Sequence, residues 1–127
     1  LHTIHPHEHL KIGDFDITPF QVMHDKLPIL GYKINNLAYI TDMKTIADEE
    51  VELIKGVDIL VENALRWDKP HHSHQLVGDA VNFARRVGAK HTYLVHANHD
   101  IGKHDDINKR LPDDIRYAYD GQVLLCQ

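Results

Sequence analysis

The chain has 127 residues, 43% of them hydrophobic and 26% charged, with a formal net charge of −5 at pH 7. That size suits one domain able to bury roughly 65–70% of its unfolded surface, and the acidic balance gives no basic nucleic-acid footprint. The single cysteine, Cys126, excludes an intramolecular disulfide and points to a reducing, cytoplasmic setting.

No apolar run is long enough to span a membrane, and no charged segment followed by an apolar one reads as a signal peptide. The chain opens at Leu1 rather than at Met, as expected of a processed product or a piece of a longer protein. Twelve residues are histidine, the commonest metal ligand and the side chain that titrates near neutral pH.

The first stretch, "HTIHPHEHL", carries His2, His5, His7 and His9. Strand patterns follow. "HLKIG" (9–13) and "FDITPFQVMH" (15–24) alternate apolar and polar residues about a Gly13-Asp14 turn, and "LGYKI" (30–34) and "LAYITD" (37–42) flank Asn35-Asn36. Both pairs predict hairpins, because Gly and Asn tolerate the left-handed backbone of tight turns.

The period then changes. "TIADEEVELIKG" (45–56) places Ala47, Val51 and Ile54 on one helical face, with Thr45 as N-cap, Asp48 completing a box-like start and Gly56 at the end. "VDILVEN" (57–63) has strand length. "SHQLVGDAVNFARRVG" (73–88) has a helical stripe from Leu76 to Val87, with Ser73 as N-cap and Gly88 as terminator. "HTYLVHA" (91–97) is the next strand, "DDINKRL" (105–111) a short helix, and "IRYAY" (115–119) with "QVLLC" (122–126) a closing hairpin. This order predicts an α/β (α+β mixed) fold, a mixed sheet with helices on one face.

Three of these strands end in a metal-competent side chain: "QVMHD" at His24, "YITDM" at Asp42 and "YLVHA" at His96. Strand ends that share a sheet edge bring distant residues together where loops are free to bind. Imidazole and carboxylate suit zinc or manganese, and Asp42 has two oxygens with which to bridge two ions. "PHHSH" (70–74) puts His74 at the opening of the long helix, where it could donate a proton or hold a phosphate. His71 and His72 read as loop residues. His99 and Asp100, just past His96, are either partners that orient a ligand from behind or simply turn residues.

On "MHDKLPILGYKINNLAYITDMKTI", "ALRWDKPHHSHQLVGDAVNFARRVGAKHTYLVHANHD" and "AYDGQVLLC", the sequence resembles the C-terminal half of the metallo-β-lactamase superfamily. Within it, the branch of cyclic phosphodiesterases and ribonuclease-Z-like enzymes is the most similar. The resemblance runs from about Ile12 onward, and "ITD", "SHQL" and "LVHANHD" are specific as an ordered set. It implies that His24 ligates a first metal, Asp42 bridges two, His96 ligates the second, and His74 is the substrate-side phosphate binder or general acid.

It also implies one half of an αββα sandwich, so that 1–127 is the C-terminal half of a hydrolase domain whose N-terminal half is absent. The implied cofactors are two divalent ions, zinc or manganese, with iron accepted by the same ligands, and an incomplete, weak site in this chain alone. The implied activity is metal-dependent hydrolysis of a small-molecule or nucleotide phosphodiester by a metal-activated water. A nucleic-acid substrate is compatible with the family but not indicated by charge.

The opening "HPHEHL" departs from the family's His-x-His-x-Asp-His signature. His9 stands at the Asp position and Leu10 at the last His, and His7 lies only 17 residues before His24. We therefore expect His2, His5, His7 and His9 to be solvated or to bind metal adventitiously. A half-sandwich would expose a sheet face and favour a homo-oligomer or swapped dimer. The competing readings are a non-catalytic histidine-rich metal-binding module, in which His2 to His9 matter most, and a scaffold domain that has lost its site.

Overall fold

The computed structural model describes residues 4–64, 76–95 and 109–118. Alternating residues of the N-terminal segment form four strands: β1 (Leu10–Ile12), β2 (Phe15–His24), β3 (Leu27–Ile34) and β4 (Leu37–Tyr39). They pair antiparallel in chain order. Gly13 (φ 58°) and Asn35 (φ 50°) take the left-handed backbone at the two expected turns.

The turn between β2 and β3 lies outside the expected pattern. His24 pairs with Leu27, so Asp25 (φ 56°) and Lys26 alone reverse the chain. β3 accordingly starts three residues earlier than its apolar pattern suggests. Pro28 is tolerated there because β4 pairs only with Tyr32, Lys33 and Ile34, leaving the outer side of Pro28 without a strand.

Helix α1 (Asp48–Ile54), strand β5 (Ile59–Asn63), helix α2 (Val77–Val87) and strands β6 (His91–Val95) and β7 (Ile115–Tyr117) follow. From β4 onward the pairing is parallel, and the described residues make one seven-stranded sheet in the order β1 to β7. Parallel neighbours in chain order need crossovers of one hand, which puts α1 and α2 on the same face. Val51 and Ile54 of α1 and Val77, Ala80, Phe83, Ala84 and Val87 of α2 share one core with Phe20, Val22, Ala38, Leu60, Leu94, Ile115 and Tyr117 of the sheet and with Ile40 just past β4. The fold class expected from the sequence is therefore the one observed.

Both helix starts differ from expectation. Ala47, not Thr45, is the N-cap of α1, because Thr45 is engaged in a backbone bridge with Met23 of β2. Leu76, rather than Ser73, is the N-cap of α2, and its N–H donates to the Asp79 carboxylate at 3.1 Å; Ser73 and His74 lie outside the described residues. Gly88 (φ 74°) closes α2 as expected, its N–H reaching the Ala84 carbonyl at 2.9 Å. The body of the expected 105–111 helix and the second arm of the closing hairpin lie outside the described residues.

The opposite face of the sheet carries no helix among the described residues. One row across it reads Tyr32, Tyr39, Val61 and Tyr93, paired neighbour to neighbour. Tyr39 is 44% exposed.

Candidate metal centre

Two antiparallel steps separate β2 from β4, so the two run in the same direction, and β5, β6 and β7 follow them. The C-terminal ends of all five strands thus meet one sheet edge. His24 is the last residue of β2, Asp42 lies three residues beyond β4, Asn63 ends β5, and Val95 ends β6. His96 follows Val95 in sequence and lies outside the described residues, as do His71, His72, His74, His99 and Asp100.

The structure brings His24 and Asp42 together. His24 Nδ1 lies 2.8 Å from the Asp42 carbonyl oxygen. A carbonyl only accepts, so Nδ1 carries the hydrogen. In the neutral ring Nε2 is then the lone-pair nitrogen, the form in which histidine binds a cation. The Asp42 carboxylate takes a long contact from the Thr41 hydroxyl at 3.4 Å. Both residues are half-buried.

Three sets of bonds hold the segment that carries Asp42. Thr45 exchanges backbone bonds with Met23, N–H to carbonyl in both directions at 2.9 and 3.2 Å, and Lys44 N–H donates to the Met23 carbonyl at 2.7 Å. Asn63, fully buried, accepts the Met43 N–H on Oδ1 at 3.0 Å and donates from Nδ2 to the Met43 carbonyl at 2.9 Å. Next to Asn63, the Ala64 carbonyl accepts the Tyr117 hydroxyl at 2.7 Å. Burial, with the charge of Glu62 adding, pushes the Tyr117 phenol well above its ordinary range, so it stays a donor.

Asn63 escapes a reading of the strand ends that looks only for metal-ligating residue types. A wider rule, a polar residue closing an apolar strand, picks it out in "ILVEN".

His2 lies outside the described residues; His5, His7 and His9 are exposed, as expected of solvated histidines, though His7 and His9 each face a carboxylate. His7 Nε2 lies 2.5 Å from Glu50 of α1, and the other Glu50 oxygen accepts the Gln21 N–H at 3.0 Å. His7 N–H also donates to the Pro19 carbonyl at 2.7 Å. Together these satisfy the edge of β2 between β1 and Thr45, which makes His7 a structural residue. His9 faces Asp16 at 3.3 Å. Among the described residues no three His, Cys, Asp or Glu side chains gather as a metal site. His24 and Asp42 nevertheless offer the nitrogen and oxygen donors that zinc and manganese take, so the residues present fit such an ion as part of its shell.

Residues 1–97 match the model of the β-lactamase superfamily domain. A crystal structure of a protein described as a new diphosphatase from the PhnP family superposes with a TM-score of 0.89 at 38% identity, over 95% of this chain and 46% of that one. The metallo-β-lactamase fold protein YhfI from Bacillus subtilis gives 0.72 at 20% identity, over 94% of this chain and 53% of that one. The short form of human tRNase Z gives 0.72 at 20% identity, over 93% and 44%. An octanoyltransferase of Porphyromonas gingivalis is 38% identical over 118 residues, 93% of this chain but 24% of that protein. The chain thus spans about half the length of these solved structures and a quarter of the curated relative.

Proposed function

The chain belongs to the β-lactamase superfamily, and from that premise we propose that it forms the C-terminal half of a metal-dependent hydrolase acting on phosphodiesters. The observation that carries this reading is the pairing of His24, in its cation-binding tautomer, with Asp42 at one strand edge. The 46% coverage of the diphosphatase and a sheet face that carries no helix among the described residues both fit a second half packed there.

In this reading His24 would hold a cation through Nε2, the Asp42 carboxylate would serve as a further ligand, and His96, next in sequence to the end of β6, would complete this half's share. When bound, two divalent cations supply Lewis acidity toward a phosphoryl oxygen and acidify water. His74 contributes on the substrate side, gripping a phosphoryl oxygen and passing a proton to the leaving oxygen. The substrate is a small-molecule or nucleotide phosphodiester, and the other half supplies the remaining ligands. The isolated chain would bind metal weakly, and its open face would favour self-association.

The test uses the complete protein, stripped with a chelator and reloaded with Mn²⁺ or Zn²⁺. Hydrolysis of bis(p-nitrophenyl) phosphate should return on reloading. Asp42→Asn and His24→Ala should each lower it by roughly 100-fold or more, about 2.7 kcal/mol of transition-state stabilisation. Metal-independent turnover, or full activity of Asp42→Asn, would overturn the proposal. Cleavage of a nucleoside diphosphate but no diester would keep the hydrolase and replace the substrate class.

A further inference from the structure

One peptide unit joins the Asp42 carbonyl to the Met43 N–H. Its carbonyl accepts the His24 Nδ1–H at 2.8 Å, and its N–H donates to Asn63 Oδ1 at 3.0 Å. A peptide unit is planar and its two ends cannot turn independently. Whatever fixes the N–H therefore fixes the direction of the carbonyl, and through it the plane of the His24 ring.

Asn63 fixes that N–H firmly. Its Nδ2 also donates to the Met43 carbonyl at 2.9 Å, so both ends of the amide group are used on one residue of the loop. The side chain is fully buried at the end of β5, and Met43 itself is 1% exposed. Exchange with water is thereby denied to both bonds, and each lost partner would leave a buried backbone group unsatisfied. The other anchor of the loop, the Thr45 bridge to Met23, sits beyond Met43 and does not touch the 42–43 peptide.

We propose that Asn63 is a positioning residue that sets both candidate ligands at once, Asp42 through its own peptide and His24 through the Asp42 carbonyl. This rests on the metal-centre reading of His24 and Asp42 above. An amide suits such a role because it carries a donor and an acceptor side by side, and stays neutral at a site that gathers cations. A carboxylate in its place would accept the Met43 N–H but set an oxygen against the Met43 carbonyl.

The test titrates the complete protein with Co²⁺, following visible absorption, which reports affinity and ligand geometry apart from activity. Asn63→Ala and the smaller change Asn63→Ser should bind Co²⁺ about 10- to 100-fold more weakly, with a shifted spectrum. Val87→Ala, a core truncation in the last turn of α2, is the control. Thermal unfolding should show it destabilised without altered affinity, separating positioning from general loosening.

Cation-free wild-type protein provides a second measurement that needs no variant: the Met43 amide should already be strongly protected from hydrogen exchange. Wild-type affinity and spectrum in the Asn63 variants, or rapid exchange at Met43, would overturn the role of Asn63. If Asp42→Asn then loses Co²⁺, the metal-centre reading survives that failure. If Asp42→Asn binds as wild type does, the reading itself fails and takes this inference with it.

Discussion

His24 and Asp42 are linked through the backbone: the His24 Nδ1–H donates to the Asp42 carbonyl at 2.8 Å. The bond selects one of two neutral tautomers before any cation arrives. ¹⁵N spectra correlating ring nitrogens with ring protons should therefore show His24 protonated at Nδ1 in cation-free protein near neutral pH. A ring protonated at Nε2 would mean that this contact is not the one that orients His24.

Gly31 of β3 has no room for a side chain. A Cβ there would lie 2.7 and 2.8 Å from two ring carbons of Phe20 and 3.2 Å from Cγ1 of Ile40. Both neighbours are fully buried, so neither ring nor chain has space to withdraw. Gly31→Ala should cost about 1–3 kcal/mol in urea unfolding, and adding Phe20→Leu should recover part of it. An alanine variant as stable as the parent would show that the sheet yields more easily than this packing implies.

Asp114 and Arg85 tie the approach to β7 to α2 through two parallel bonds, at 2.5 and 2.9 Å. The Arg85 guanidinium holds the Asp114 carboxyl below its ordinary range, chiefly by hydrogen bonding. A carboxyl lowered in the folded state stabilises above its unfolded pKa, about 3.9, and loses that contribution as pH falls through the folded value. The stability gap between wild type and Asp114→Asn should be constant at neutral pH and close below about pH 4. It should stay under about 1 kcal/mol, because the Arg85 side chain is 51% exposed and solvent screens the pair. A gap that widens on acidification would reverse the sign of this account.

Much of the architecture can be read from periodicity. Residues 15–24 alternate and form β2 over that same span, and Asn35 and Gly88 stop their elements where left-handed backbone is needed. The turn at Asp25-Lys26 is hidden because Asp25, though it tolerates left-handed backbone, is not followed by the glycine that marks a two-residue hairpin. Thr45 misleads because a good cap residue can instead be drawn into a bridge, here with Met23, and tertiary pairing overrides local preference. His24 and Asp42 are legible as strand-end ligand types. Asn63 is not, since an amide's role depends on which backbone lies opposite it, and only the parallel pairing of β4 with β5 brings Met43 there. His7 shows the converse: its run departs from the metal signature and reads as solvated or adventitious, and the contact of its ring with Glu50 depends on where α1 packs.

The most direct measurement is anomalous scattering from crystals of the complete protein soaked with Mn²⁺ or Zn²⁺. The account predicts peaks about 2.0–2.2 Å from His24 Nε2 and from an Asp42 carboxylate oxygen, at the edge where β2 and β4 end. Peaks only at His5 or His9, or none within reach of His24 and Asp42, would contradict it and turn the reading toward an N-terminal histidine module.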